Sequence, residues 1–222
     1  MQIAGFVKNS FVDYPGHIAA VVFVPGCNMD CWYCHNRPLW NAAKLIDPSE
    51  AEAFIEKRRG FLSGVVISGG EPTLQSGLEQ FIERMRALGL HVKLDTNGLL
   101  PEVIEKLIKK VDYIALDLKA PPGEISRVVS FDLDDKPVWQ TAELLMQGGV
   151  DYEFRTTFMP LLGVEDIAAI AQRVKGAKKY VLQQYRRPET IAIQPEPHMR
   201  ETIKKAAEAA CEYVENVQVR GI

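Results

Sequence analysis

The sequence of 222 residues predicts an α/β fold, in which a parallel sheet alternates with helices. Six short runs rich in Val, Ile, Leu, Tyr or Phe have the length and composition of buried parallel strands. A longer segment with helical periodicity follows each run. Six strand–helix units are typical of a parallel sheet and too few for a closed eight-unit barrel. We therefore expect an open partial (β/α)6 barrel of parallel strands with an N-terminal extension.

The elements follow from these patterns in chain order. The predicted strands are 18–24, 65–68, 91–95, 113–118, 152–157 and 180–184. The predicted helices are 48–59, 77–88, 101–109, 137–147, 164–174 and 198–214. Several of these helices begin at the Pro, Asp or Ser residues that favour a helix start.

We expect one domain over residues 1–222, because no linker, repeat or low-complexity stretch divides the chain. Residues 1–17 are expected to form an N-terminal hairpin or extension beside the first strand. Residues 18–187 would form the partial barrel core, and residues 188–222 a C-terminal helix and tail.

The composition narrows the class of protein. A hydrophobic content of 47% is enough for a large core, and a net charge of −3 gives no basic footprint for a nucleic-acid partner. No run approaches the roughly 18 apolar residues that span a bilayer, and no signal peptide is evident, so no membrane partner is expected. Three crowded cysteines out of four do not resemble a disulfide framework. A reducing, cytoplasmic location is therefore expected.

Cys27, Cys31 and Cys34 form a C-x3-C-x2-C motif directly after the first predicted strand. Protein iron–sulfur clusters are usually held by four thiolates, whereas this loop supplies three. A [4Fe–4S] cluster held in this way keeps one iron open for another ligand. The alternative is a zinc site, which would need a closed set of four ligands and would recruit His35.

This motif resembles the signature of the radical S-adenosylmethionine (SAM) enzymes, and further matches run from Gly5 to about Arg187. Within that family, the chain is similar to the activating enzymes of glycyl radical enzymes. The similarity lies in the opening Gly5-Phe6, in the run Asp13-Tyr14-Pro15-Gly16, and in the motif followed by His35-Asn36. The similarity is strongest to the activators of anaerobic ribonucleoside-triphosphate reductase.

The resemblance implies both fold and chemistry. It implies a (β/α)6 fold and one [4Fe–4S] cluster, whose open iron chelates the amino and carboxylate groups of SAM. One electron, from flavodoxin or ferredoxin, then cleaves the sulfonium to methionine and a 5′-deoxyadenosyl radical. That radical takes a hydrogen from the α-carbon of a glycine in the partner enzyme. Beyond the cluster and SAM, no catalytic side chain is expected, since positioning and exclusion of water carry the reaction.

The run Gly69-Gly70-Glu71-Pro72 follows the second predicted strand. Two glycines let the backbone approach a ligand closely, and a proline fixes the exit from the turn. The run resembles the GGEP element of the family, which implies that it binds the amino group of SAM largely through backbone groups.

Polar residues also end the third and fourth predicted strands, as Asp95-Thr96-Asn97 and as Asp117 and Lys119. Asp117 and Lys119 are two apart on a strand and share a face, so both can point at one ligand. Asp95 and Lys119 supply the charges that a zwitterionic amino acid needs. The resemblance implies that these residues contact the methionine and ribose of SAM. It also implies a monovalent cation at Asp95, Thr96 and Asp117. The alternative is that each motif is an ordinary polar turn.

Arg155 lies within an otherwise apolar strand, where an unpaired charge is costly to bury. A carboxylate or a cofactor partner is therefore expected, and the resemblance implies that Arg155 reaches SAM. The alternative is a salt bridge to Glu153 or Asp151.

Three further residues complete the candidates. The resemblance places Tyr33 near the adenine, with simple packing as the alternative. Pyruvate formate-lyase activators carry a ribose-binding His on the sixth strand, whereas this chain has Gln184, or Gln183, whose amide both donates and accepts. Cys211 shares an apolar helical stripe and is expected to be a buried structural thiol.

These observations predict a radical SAM activase that acts on a glycyl radical enzyme, with anaerobic ribonucleotide reductase as the expected partner. One alternative keeps the chemistry and changes the target to another glycyl radical enzyme, such as pyruvate formate-lyase, or to a small molecule. The alternative from a different class is a non-catalytic zinc or iron–sulfur binding module.

Overall fold

The computed structural model describes residues 1–188 and 195–222. The strands in this part of the chain are β1 (Gly5–Ser10), β2 (Ala19–Val24), β3 (Gly64–Gly69), β4 (His91–Thr96), β5 (Tyr113–Asp117), β6 (Asp151–Phe158), β7 (Tyr180–Gln184) and β8 (Val217–Arg220). The helices are α1 (Arg37–Trp40), α2 (Pro48–Arg58), α3 (Leu78–Ala87), α4 (Pro101–Leu107), α5 (Lys136–Gln147), α6 (Val164–Arg173) and α7 (Arg200–Cys211). All six predicted strands and all six predicted helices are present, although the last helix is shorter at both ends.

The strands are hydrogen-bonded in chain order, from β1 to β8. β1 pairs antiparallel with β2, and the pairs β2–β3, β3–β4, β6–β7 and β7–β8 are parallel. The predicted α/β class with an open, mostly parallel sheet is confirmed. β8 was not predicted, because its four residues, Val-Gln-Val-Arg, are too short to give a strand signal.

The chain divides into two compact units. The first comprises residues 1–28, 36–96 and 102–114, and the second comprises residues 29–35, 97–101 and the described residues from 115 onward. The expectation of one domain stays a prediction.

Apolar periodicity explains how the helices of each unit pack. In the first unit, α3 buries Leu78, Phe81, Ile82 and Met85, which share one helical face. In the second unit, α7 buries Ile203, Ala206 and Ala210.

Cys211 is exposed, so the prediction of a buried thiol was wrong. The buried face of α7 runs through residues 203, 206 and 210, and Cys211 is turned away from it by about 100°. In the part of the chain that the structure describes, no helix combines the length and the apolar character needed to span a membrane.

Candidate active site

The cysteine loop begins at Cys27, three residues after the end of β2. Cys31 is buried, Cys27 and Cys34 are partly exposed, and none of the three forms a disulfide. The Cys34 amide donates to the Cys31 carbonyl at 3.1 Å, which closes a tight turn. Cys27 belongs to the first unit, and Cys31 and Cys34 belong to the second. His35, the ligand of the zinc alternative, is exposed. Over residues 1–188 and 195–222, no three His, Cys, Asp or Glu side chains are grouped to hold a metal ion.

Gly69 and Gly70 pack directly against the base of the cysteine loop. A Cβ on Gly70 would lie 1.7 Å from the Gly26 carbonyl oxygen, and one on Gly69 would lie 2.4 Å from the Val24 nitrogen. Gly69 also has a φ of 115°, which side-chain-bearing residues rarely adopt. The glycines are therefore required for contact within the chain, which the sequence interpretation did not include.

Hydrogen bonds join this turn to both ends of the cysteine loop. The Gly70 amide donates to the Val24 carbonyl at 2.9 Å, and the Glu71 amide donates to the Gly26 carbonyl at 2.8 Å. From the far end of the motif, Asn36 Nδ2 donates to the Gly69 carbonyl at 2.9 Å. The turn, residues 24–26 and Asn36 thus form one hydrogen-bonded structure in the first unit, and Asn36 is a member that sequence reasoning missed.

Glu71 is 1% exposed and acts inside the protein. Its Oε1 accepts from the Thr73 amide at 3.1 Å, from Thr73 Oγ1 at 2.6 Å and from Thr96 Oγ1 at 2.8 Å. Pro72 is buried and begins the short 3-10 turn Pro72–Leu74. The structure therefore brings the predicted residues Glu71 and Thr96 together through their own side chains.

Asp95 lies at the end of β4 beside a buried lysine. Lys93 is 1% exposed, and its Nζ forms an ion pair with Asp95 Oδ1. Ser68 Oγ donates to the other carboxylate oxygen at 3.1 Å. Asp95 was predicted as the anion for the SAM ammonium, but its charge is balanced inside the protein. Sequence reasoning missed Lys93, although a lysine two residues before an aspartate on a strand shares its face.

Asp117, Lys119 and Arg155 form a charge cluster in the second unit. Arg155 Nε donates to Asp117 Oδ1 at 2.8 Å, and Lys119 Nζ donates to Oδ2 at 3.2 Å. Arg155 thus has a carboxylate partner in Asp117, which is neither of the two acidic residues of the structural alternative, Glu153 and Asp151. Two cations around one carboxylate leave a net charge of about +1.

The pKa shifts of Asp117 and Lys119 keep both of these groups ionised. Burial raises the pKa of the Asp117 carboxyl, but the charges and hydrogen bonds of Arg155 and Lys119 outweigh burial and hold that pKa well below its usual range. Burial likewise disfavours charge on Lys119, yet the neighbouring Asp117 raises the pKa of this ammonium well above its usual value. The cluster therefore stays ionised across the physiological range.

Tyr33 and Asn97 are both buried, each within the second unit. The Tyr33 ring packs edge-on against Trp32, with centroids 5.5 Å apart, and burial raises the pKa of its phenol, so the hydroxyl stays protonated. Asn97 Oδ1 accepts from the Leu99 amide at 3.1 Å, an Asx turn that shapes the exit from β4.

Gln184, at the end of β7, has an open acceptor. Its Nε2 donates to the His198 carbonyl at 3.2 Å. Its Oε1 is buried and accepts no hydrogen bond from the described residues. A buried acceptor without a donor is costly, so this oxygen suits a ligand hydroxyl.

These residues fit an iron–sulfur cluster with a bound amino acid cofactor. The cysteine loop offers three thiols that form no disulfide, the charge cluster offers a cation for a carboxylate, and Gln184 offers an acceptor for a hydroxyl. A structural zinc site would need a fourth protein ligand, and the exposed His35 is the candidate within the motif.

Comparison with known proteins assigns the family. Residues 21–174 match the model of the radical SAM superfamily. The chain is 36% identical over 232 residues to a Methanocaldococcus jannaschii protein named "Putative glycyl-radical enzyme activating enzyme", covering 99% of this chain and 96% of that one. It is 34% identical over 134 residues to pyruvate formate-lyase 1-activating enzyme of Escherichia coli strain K12, and this match spans 56% of this chain and 54% of that enzyme.

Solved structures agree at the level of the fold. The crystal structure of Streptococcus suis SuiB bound to S-adenosylmethionine superimposes with a TM-score of 0.70 at 14% identity, covering 90% of this chain and 52% of that one. Because of the match to the family model and the similarity to the M. jannaschii protein, the chain belongs to the radical SAM superfamily, in the group of glycyl-radical enzyme activating enzymes. Its cofactors are a [4Fe–4S] cluster and SAM.

Proposed function

We propose that this chain installs a glycyl radical on anaerobic ribonucleoside-triphosphate reductase. The observation that carries the glycyl radical chemistry is the 36% identity to the M. jannaschii protein over nearly the full length of both chains. The choice of partner rests on the motif similarity of the opening residues and the cysteine loop.

We assign the cluster to Cys27, Cys31 and Cys34. When bound, the cluster and SAM supply one-electron cleavage of a sulfonium and abstraction of a hydrogen atom. The residues of the chain bind and orient SAM, and they exclude water. The backbone of Gly69 and Gly70 faces the SAM ammonium, with Glu71 and Pro72 holding the turn. Since this turn is bonded to Gly26, the residue before Cys27, the amino group and the Cys27 ligand would share one support.

The charge cluster and Gln184 complete the proposed SAM contacts. Lys119 and Arg155 provide the positive charge for the SAM carboxylate, and Asp117 holds these two cations in place. Gln184 Oε1 accepts from a ribose hydroxyl, which would satisfy a buried acceptor. Tyr33 lies against the adenine, while Asp95, Thr96 and Asn97 shape the methionine site.

Lys93 competes for Asp95 with the monovalent cation that we propose at Asp95, Thr96 and Asp117. Because the Lys93 ammonium already compensates Asp95, we expect SAM binding by the wild-type protein to depend weakly on added potassium. In Lys93→Met the compensation is lost, and SAM affinity should rise with potassium concentration. Isothermal titration at two potassium concentrations measures this difference. Equal potassium dependence in both proteins would argue against the exchange of one cation for the other.

The test of the proposed function is radical installation. Reconstituted protein, reduced by flavodoxin or ferredoxin, is mixed anaerobically with SAM and anaerobic ribonucleotide reductase. We expect the glycyl doublet in the electron paramagnetic resonance spectrum and release of 5′-deoxyadenosine. Cys31→Ala should give neither. A doublet on pyruvate formate-lyase, with none on the reductase, would replace the proposed partner.

Pyruvate formate-lyase is the second candidate partner. The 34% identity to its E. coli activating enzyme favours it, but that match spans about half of each chain. The glutamine at residue 184, where those activators are expected to carry a ribose-binding histidine, weakens the case for pyruvate formate-lyase.

A further inference from the structure

The backbone of the cysteine loop is paired with a segment far along the chain, residues 128–130. The Trp32 amide donates to the Val128 carbonyl at 3.2 Å, and the Ser130 amide donates to the Asp30 carbonyl at 3.1 Å. Between these bonds, Cys31 and Val129 form an antiparallel β-bridge. The position of Cys31 therefore depends on the position of residues 128–130, which we call the brace.

Arg127 anchors the brace from its N-terminal side. Its guanidinium binds both carboxylate oxygens of Asp166, at 2.8 and 2.9 Å, and it also contacts Glu124 and the Leu161 carbonyl. Asp166 lies in the first turn of α6 and accepts from the Gly163 amide at 2.7 Å. A bidentate arginine–carboxylate pair fixes direction as well as distance. The residue next to Val128 is thus tied to a helix.

We propose that Arg127 is a positioning residue for the iron–sulfur cluster, acting through the brace on Cys31. Val128 is fully buried and Val129 is 7% exposed, so the brace is held on one side by packing and at one end by Arg127. Without this anchor, residues 30–32 gain conformational freedom, and the entropy of that freedom opposes cluster binding. The simpler alternative is a surface ion pair that stabilises only the start of α6.

Arg127→Gln and Arg173→Gln together separate the two explanations. Arg173 pairs with Glu143 at 2.6 Å and is similarly exposed, but it lies on α6 and bonds α5, away from the brace. We expect Arg127→Gln to speed hydrogen exchange of the Trp32 and Ser130 amides in the cluster-free protein by about tenfold, the loss of one charged hydrogen bond. Arg173→Gln should leave both amides unchanged.

The loaded protein gives a second readout. Under anaerobic conditions, loss of the cluster absorbance to an iron chelator should be several-fold faster in Arg127→Gln than in Arg173→Gln. Arg127→Lys should recover only part of the difference, because it keeps the charge opposite Asp166 but not the bidentate geometry. Asp166→Asn, which keeps an acceptor for the Gly163 amide, should reproduce the effect if Arg127→Gln fails to fold.

Wild-type exchange rates for Trp32 and Ser130 in Arg127→Gln would overturn the proposal. So would cluster loss that merely follows the free energy of unfolding of each variant. Both measurements omit the partner enzyme, so failure of the brace and failure of the proposed glycyl radical function are distinguishable.

Discussion

At the scale of single residues, the glycine turn gives the sharpest steric constraint in the first unit. The Gly26 carbonyl oxygen, a backbone atom, lies 1.7 Å from the position that a Cβ on residue 70 would take. We expect Gly70→Ala to lower the free energy of unfolding by about 3 kcal/mol, because neither backbone can move aside cheaply. Gly60→Ala is the control, since nothing lies within 4 Å of its Cβ position. Urea unfolding of the cluster-free protein measures both variants, and equal losses would contradict the steric argument.

Asp117 gives the second prediction at this scale. Its depressed pKa means that the stability from the ionised carboxylate is present above the ordinary carboxyl pKa of about 4 and is lost as the pH falls through the lower folded value. The difference in unfolding free energy between the wild type and Asp117→Asn should therefore be largest near pH 7 and shrink below about pH 4.

Urea unfolding at a series of pH values checks this expectation. Asp132→Asn removes an exposed carboxylate of the same unit and should show a small difference at every pH. A gap for Asp117→Asn that stays constant down to pH 3 would mean that the charge cluster does not lower the Asp117 pKa.

At the scale of elements, β8 is held to β6 across β7. Glu153 of β6 is fully buried, and its two oxygens accept from Arg220 of β8 at 2.9 and 2.7 Å. Lys179 Nζ lies 3.3 Å from the same carboxylate. The last strand is therefore tied to the sheet by a buried ion pair in addition to its ladder.

Breaking the ion pair of Glu153 and Arg220 should lower the free energy of unfolding substantially. We expect Arg220→Met to lower the free energy of unfolding by about 3 kcal/mol, because it removes the charge and both hydrogen bonds that Arg220 gives to a buried carboxylate. Arg173→Gln, at an exposed pair, should cost less than about 1 kcal/mol. Chemical denaturation compares the two variants, and hydrogen exchange of the Gln218 amide, which faces β7 in the parallel ladder, should increase only in the first. Equal costs would indicate that the Glu153 pair contributes no more than a surface contact.

At the scale of the whole molecule, cluster binding should be coupled to stability. Under the proposed assignment, the three thiolates bind the cluster in the folded protein, so reconstitution should raise the melting temperature in circular dichroism. Cys31→Ala should remove the increase, whereas Cys211→Ala, at an exposed thiol of α7, should keep it. An increase that survives in Cys31→Ala would locate the stabilising iron elsewhere.

The α/β class and the strand–helix order could be predicted from sequence, because apolar runs and helical periods are local properties. The cysteine spacing and the polar strand ends are local too. The contacts between residues that are distant in the sequence could not be predicted. Examples are the ion pair of Arg155 with Asp117, 38 positions apart, and the β-bridge of Val129 with Cys31. Lys93 was missed because a lone lysine in a strand is usually exposed, and only burial beside Asp95 reveals its role.

The bonded contact between the glycine turn and the cysteine loop has a consequence for protein design. If only the eight-residue cysteine segment is transplanted into a new scaffold, the glycine turn that packs against its base and bonds to it is lost. Residues 24–27, Asn36 and residues 69–71 must travel together as one cassette, with a host strand on each side at the native register.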